Sequence, residues 1–121
     1  METKMEPVRK IQEYLLCNAF GGGSSYWYRI DSYMYPEGKG ERDFGYPHLE
    51  VPFAGGSITI SVPEDNDGKT YTLDFKALQR GWKLLHDKYP HHYADSTTGQ
   101  YDATTGDVFL QLCLFGDVVY G

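Results

Sequence analysis

Cysteine is scarce in this chain. Cys17 and Cys113 are the only two among 121 residues. They stand far apart, each in apolar surroundings, and neither has the close Cys or His neighbours of a zinc ligand set. The pattern argues against a disulfide scaffold, and both read as reduced core residues. Long apolar runs are also missing. No stretch approaches the roughly 20 residues of a membrane span. The opening residues 1–6 are charged and lack the apolar centre of a signal peptide, so the expected location is the cytoplasm. Positive charge is in deficit, with 11 Lys and Arg against 17 Asp and Glu and a net charge of −6. That disfavours direct attachment to nucleic acid or to an anionic membrane. It permits a basic protein partner, although solubility alone accounts for such a balance. Internal repeats and separating linkers are absent as well, which leaves one domain spanning residues 1–121.

What the chain has in quantity is aromatic surface. Aromatic residues make up 16%, and 11 of them are tyrosines. Tyrosine buries a ring while keeping a hydroxyl to bond with, so it suits half-buried sheets and binding surfaces. Charged residues at 23% and apolar residues at 40% are ordinary for a globular domain. A chain of this length buries roughly two-thirds of its unfolded surface, enough for a core without staples.

Periodicity predicts the elements. Pro7 opens a first helix that places Val8, Ile11, Leu15 and Leu16 on one side, and Gly21-Gly22-Gly23 ends it. Residues 25–35 alternate, with Tyr26, Tyr28, Ile30 and Met34 on one parity, and read as a strand. Pro36-Glu37-Gly38-Lys39-Gly40 is a turn, residues 41–47 are polar and weakly patterned, and residues 48–53 are a short strand candidate. Ile58, Ile60 and Val62 alternate before the turn signal Glu64-Asp65-Asn66-Asp67-Gly68, which predicts a hairpin over residues 57–73.

Asp74 can cap the next helix, whose apolar side carries Phe75, Leu78, Trp82 and Leu85 while Lys76, Arg80, Lys83 and Asp87 face water. Gly81 in its middle implies a close contact with the sheet. Pro90 stops this helix, and residues 91–101 read as an irregular connection. The run from Asp107 to Phe115 suits a last helix capped by Asp102 or Thr104 and ended by Gly116, with a buried strand as the alternative. The fold class is α+β: a small, mainly antiparallel sheet of three or four strands with about three helices packed on it.

Candidate sites are few. Gly21-Gly22-Gly23-Ser24-Ser25 could cradle a phosphate with its amides, but it lacks the Gly-Lys-Ser/Thr ending of a nucleotide loop and precedes a strand. Tyr26, Trp27 and Tyr28 beside it could stack on a base, or be buried as alternating rings. Gly22, Gly23, Ser24, Ser25, Tyr26, Trp27 and Tyr28 are therefore the expected ligand or partner contacts. His91 and His92 with Asp95 do not supply converging ligands for a metal, and no nucleophile motif accompanies them. Asp95, Asp102 and Asp107, with Thr104 and Thr105, lack a calcium-loop register and suit helix capping. Glu64, Asp65 and Asp67 read as a solvated hairpin tip. No catalytic residue, metal or cofactor is expected.

Two segments carry a family resemblance. One is Leu16-Cys17-Asn18-Ala19-Phe20-Gly21-Gly22-Gly23-Ser24-Ser25-Tyr26-Trp27. The other runs from Asp102 to the final Leu114-Phe115-Gly116-Asp117-Val118-Val119-Tyr120-Gly121. Together, over about a quarter of the chain, they resemble small proteins encoded by phages, prophages and plasmids. The resemblance implies a mobile-element origin, where small acidic proteins disarm host defences. The expected function is noncatalytic binding of a host protein, such as a CRISPR effector or another nucleic-acid-binding defence protein, in anti-defence inhibition. The alternative is a small-molecule binder, a sponge for a signalling nucleotide. A small hydrolase and a virion component have less support. The aromatic content also suits a homodimer.

Overall fold

The apolar run near the C-terminus folds as a helix, α5 (Ala103–Phe115), around which the rest assembles. The computed structural model describes residues 8–23, 27–63, 69–100 and 102–120. Asp102 is the N-cap, accepting from the Thr105 amide at 3.0 Å. Gly116 ends the helix in the left-handed region (φ 80°), its amide bonding back to Leu112. An all-round apolar helix belongs inside a protein, and here Val108, Phe109, Leu110, Leu112, Cys113 and Leu114 are all buried.

Helix α1 (Val8–Asn18) lies against α5 on one side, burying Ile11, Leu15 and Leu16. Their approach is close because Gly106 has no side chain: a Cβ there would sit 2.6 Å from the Leu15 carbonyl oxygen. On another side of α5 lies α3 (Phe75–Lys88), capped by Asp74, which accepts from the Ala77 amide at 2.9 Å. Gly81 is where α3 meets α5. A Cβ at Gly81 would overlap Cys113 Sγ, so the contact the glycine serves is with a helix and not with the sheet. Arg80, expected to face water, donates to the Cys113 carbonyl, one of the last-turn acceptors that α5 cannot satisfy internally.

The sheet is antiparallel, in the order β1 (Arg29–Met34), β2 (Ser57–Ser61), β3 (Thr70–Leu73). Strands β2 and β3 are the two arms of the expected hairpin, with Ile58, Ile60 and Leu73 fully buried. Glu64, Asp65 and Asp67 lie outside the described residues. In β1 the pairing passes from Ile30 opposite Ile60 to Ser32 opposite Thr59, so Asp31 is an extra residue. This bulge shifts the alternation. Tyr33, opposite Ile58, joins the core face with Ile30, and Met34 is left 71% exposed on the other face. The Asp31 carboxylate accepts from Ser61 and Arg29.

Three further expectations are corrected. Residues 48–53 are helical: α2 (Pro47–Glu50) runs into a 3₁₀ turn over Val51–Ala54. Each piece carries a proline in its first turn, Pro47 and Pro52, which fits a helical start and removes a strand donor, and Gly55 closes the second in the left-handed region (φ 101°). Residues 90–97 form α4 (Pro90–Thr97) in place of an irregular connection, because Pro90 both follows the end of α3 and opens the next helix. Cys17 is exposed; only Cys113 is a core thiol, and burial pushes its pKa far up.

Residues 117–120 return along α5. Gln111, with no exposed surface, accepts from the amides of Val119 (2.7 Å) and Tyr120 (2.8 Å) and donates to the Tyr120 carbonyl (2.8 Å) and to Asp107 (3.1 Å).

Candidate binding surface

The residues expected to make contacts are split by the fold. Helix α1 ends in a wide turn, Ala19–Gly23, in which Gly21 and Gly22 are exposed with open space beside them. Ser24, Ser25 and Tyr26 lie outside the described residues. Trp27 is only 1% exposed. Its Nε1 donates to Asp107 Oδ1 at 2.7 Å, and its ring stacks on Tyr120 (5.6 Å, 11°) and leans on Phe115. This indole is committed to the core, where it joins the turn after α1 to α5 and the C-terminal segment.

The Tyr28 ring meets that of Trp27 edge-on at 5.8 Å and is less deeply buried. Its hydroxyl donates to the Phe20 carbonyl at 3.3 Å, and its ring lies 5.3 Å from that of Phe20. Half-burial raises its phenol pKa. Phe20 in turn meets His48 edge-on at 5.7 Å, and His48 meets Tyr46 at 6.4 Å. Burial lowers the His48 pKa, against an opposing pull from Glu50.

A second row of rings begins on β1. Tyr33 stacks on Tyr35 (5.8 Å, 23°), and Tyr35 on Phe44 (6.0 Å, 21°). The Tyr33 phenol is raised first by burial, then by the neighbouring phenols Tyr35 and Tyr28 and the Glu41 carboxylate, which places these four groups in one neighbourhood. The bulge at Asp31 brings this about, because Tyr33 would otherwise share the outer face with Arg29.

The segment after β1 completes the surface. Lys39 closes a turn onto the Pro36 carbonyl with Gly38 in the left-handed region, Gly40 donates to Asp43 Oδ2 at 2.7 Å, and Tyr46 donates its amide to Glu50. Between them opens a cleft of about 680 Å³ lined by Gly40, Glu41, Arg42, Asp43, Phe44 and Pro47. Tyr46 stands beside it, 63% exposed. Across residues 28–50 five carboxylates face three Lys and Arg, so the surface is aromatic with a negative border.

Sequence reading missed Tyr33, Tyr35, Phe44, Tyr46 and His48. The available signal was a Gly- and Pro-rich stretch, 36–47, that carries rings no periodic element could bury.

Of the other candidates, His92, Asp102 and Thr105 meet at the start of α5. His92 Nδ1 lies 3.0 Å from Thr105 Oγ1, beside the cap of α5. Burial lowers the His92 pKa, with His91 adding to the effect. The Thr105 amide holds the Asp102 carboxyl below its ordinary range, as a cap should. Among the described residues no three His, Cys, Asp or Glu groups converge as metal ligands, and no helix is long and apolar enough to cross a membrane. No family model, curated protein or solved structure matches this chain.

Proposed function

We propose that this chain is a noncatalytic binding protein of mobile-element origin that engages a basic host protein in the cytoplasm. In this reading it acts as an anti-defence inhibitor of a nucleic-acid-binding effector. The observation that carries the reading is the Tyr33–Tyr35–Phe44 stack with Tyr46 beside a cleft bordered by Glu41 and Asp43. The stacked rings are half-buried and Tyr46 is exposed; such rings supply contact area at small entropic cost, and aromatic residues are enriched at interface centres. The carboxylates select a cationic partner and speed its approach. Such an effector carries a basic surface for nucleic acid, which this surface would cover.

The test is affinity capture against a panel of purified nucleic-acid-binding effectors, CRISPR effectors included. Wild type should retain one of them in a salt-sensitive way. Tyr46→Ala and Glu41→Lys should each weaken that retention about tenfold or more without unfolding the chain. Retention unchanged in both variants would contradict the proposal, as would no retention of any effector at micromolar concentration.

A further inference from the structure

A second opening lies away from the aromatic surface, between α1 and α3. It holds about 340 Å³ and is lined by Val8, Gln12, Phe75, Gln79, Trp82 and Lys83. That volume sits at the small end of ligand sites. Val8 and Phe75 are nearly half exposed at its edges, although both are large apolar side chains.

Gln12 distinguishes this groove from an ordinary seam between helices. It is 4% exposed, and among the described residues its side chain has no hydrogen-bond partner. The other buried polar side chains are all engaged. Ser61 donates to Asp31, Ser96 to the His92 carbonyl, Thr105 meets His92, and Gln111 makes four bonds. Among the described residues no fully enclosed side-chain polar atom lacks a partner, so the Gln12 amide keeps a little access, and the groove it lines supplies it. A leucine would be the stable choice here, next to Ile11 and one turn from Leu15 and Leu16 on the buried side of α1. A nearly buried amide with no partner among the described residues costs stability relative to leucine, and a ligand would offset that cost.

We propose that the groove between α1 and α3 binds a small anionic molecule whose ring-bearing apolar body carries an amide-like donor–acceptor edge. The ring packs on Phe75 and Trp82. The edge pairs with the Gln12 amide, which presents one donor and one acceptor side by side and so complements a carboxamide or a nucleobase edge. The anion meets Lys83, whose ammonium is exposed at the rim and, among the described residues, held only by an exposed pair with Asp87 at 3.0 Å. This site is independent of the partner-binding surface.

Isothermal calorimetry tests the proposal with two probes of this chemistry, terephthalamate (a benzoate bearing a primary carboxamide) and adenosine monophosphate, and with benzoate, which has the ring and the anion but no amide edge. One probe should bind at a single site at least about tenfold more tightly than benzoate, the equivalent of a hydrogen bond to a buried group. Tighter terephthalamate identifies an aromatic carboxamide as the source of the chemistry, and tighter adenosine monophosphate a nucleotide. Gln12→Leu should lose that preference and melt at a higher temperature than wild type. Phe75→Ala should weaken binding, and Met34→Ala, on the outer sheet face, should not change it. The proposal is overturned if neither probe binds at millimolar concentration, if Gln12→Leu binds as wild type does, or if Gln12→Leu melts lower.

Discussion

Replacing Gln111 by leucine tests how the segment after α5 is held. The side chain is wholly enclosed and makes four hydrogen bonds, three of them to the backbone of Val119 and Tyr120. Each such bond is worth about 0.5–1.5 kcal/mol net. A direct sum overstates the loss, because residues 117–120 are partly exposed and can detach to recover water. Detachment has its own cost, since Tyr120 would leave the Trp27 face on which it stacks. The two limits bracket the effect of Gln111→Leu at about 2–4 kcal/mol. In urea that is a midpoint lower by about 1–2 M for an ordinary slope, read by tryptophan fluorescence. Deleting residues 118–121 should cost a similar amount. The combined variant should lose little more than either alone, because both remove the same contacts. A Gln111→Leu midpoint within error of wild type, or losses that add, would refute this reasoning.

Three other outcomes follow from the packing and the titrating groups. Gly81→Ala and Gly106→Ala should each destabilise by about 1–3 kcal/mol in denaturant titrations, although alanine normally favours a helix, because the new methyl meets Cys113 in one case and the α1 backbone in the other. Asp74→Ala and Asp102→Ala should each cost about 1 kcal/mol, additively, as separate helix caps. His48 and His92 have folded pKa values below the ordinary 6.5, so their contribution is complete above that value and is lost as pH falls through the folded pKa. Stability should therefore drop from pH 7 toward pH 5, and the double variant His48→Gln/His92→Gln should flatten that slope in melting curves.

Much of the fold was legible where local chemistry and burial agree. Asp74 and Asp102 each stand before an apolar helical stretch, Gly116 follows one, and Ile58, Ile60 and Val62 alternate before a dense turn signal. Proline was where legibility failed. Pro47, Pro52 and Pro90 stand in the first turns of helical pieces, and the same residue that forbids continuing a helix suits its first turn. The bulge at Asp31 was illegible because one inserted residue leaves each half of a strand pattern intact while exchanging its faces. The rings of the candidate surface were hidden for related reasons. Trp27 looked like a contact residue because its partners, Asp107 and Tyr120, lie about 80 and 90 positions away. Tyr35, Phe44 and Tyr46 lie in turns that carry no period. Gln12 carried no signal in the sequence, since its burial and the groove it lines with residues of α3 arise only in the folded chain.

The most direct test of the binding role is an NMR titration of the isotope-labelled chain with whichever purified effector it retains. The largest amide shifts should centre on Tyr33, Tyr35, Phe44 and Tyr46 and fade with added salt. Shifts centred instead on Gly21 and Gly22 or on α4, with those four residues unmoved, would contradict the account.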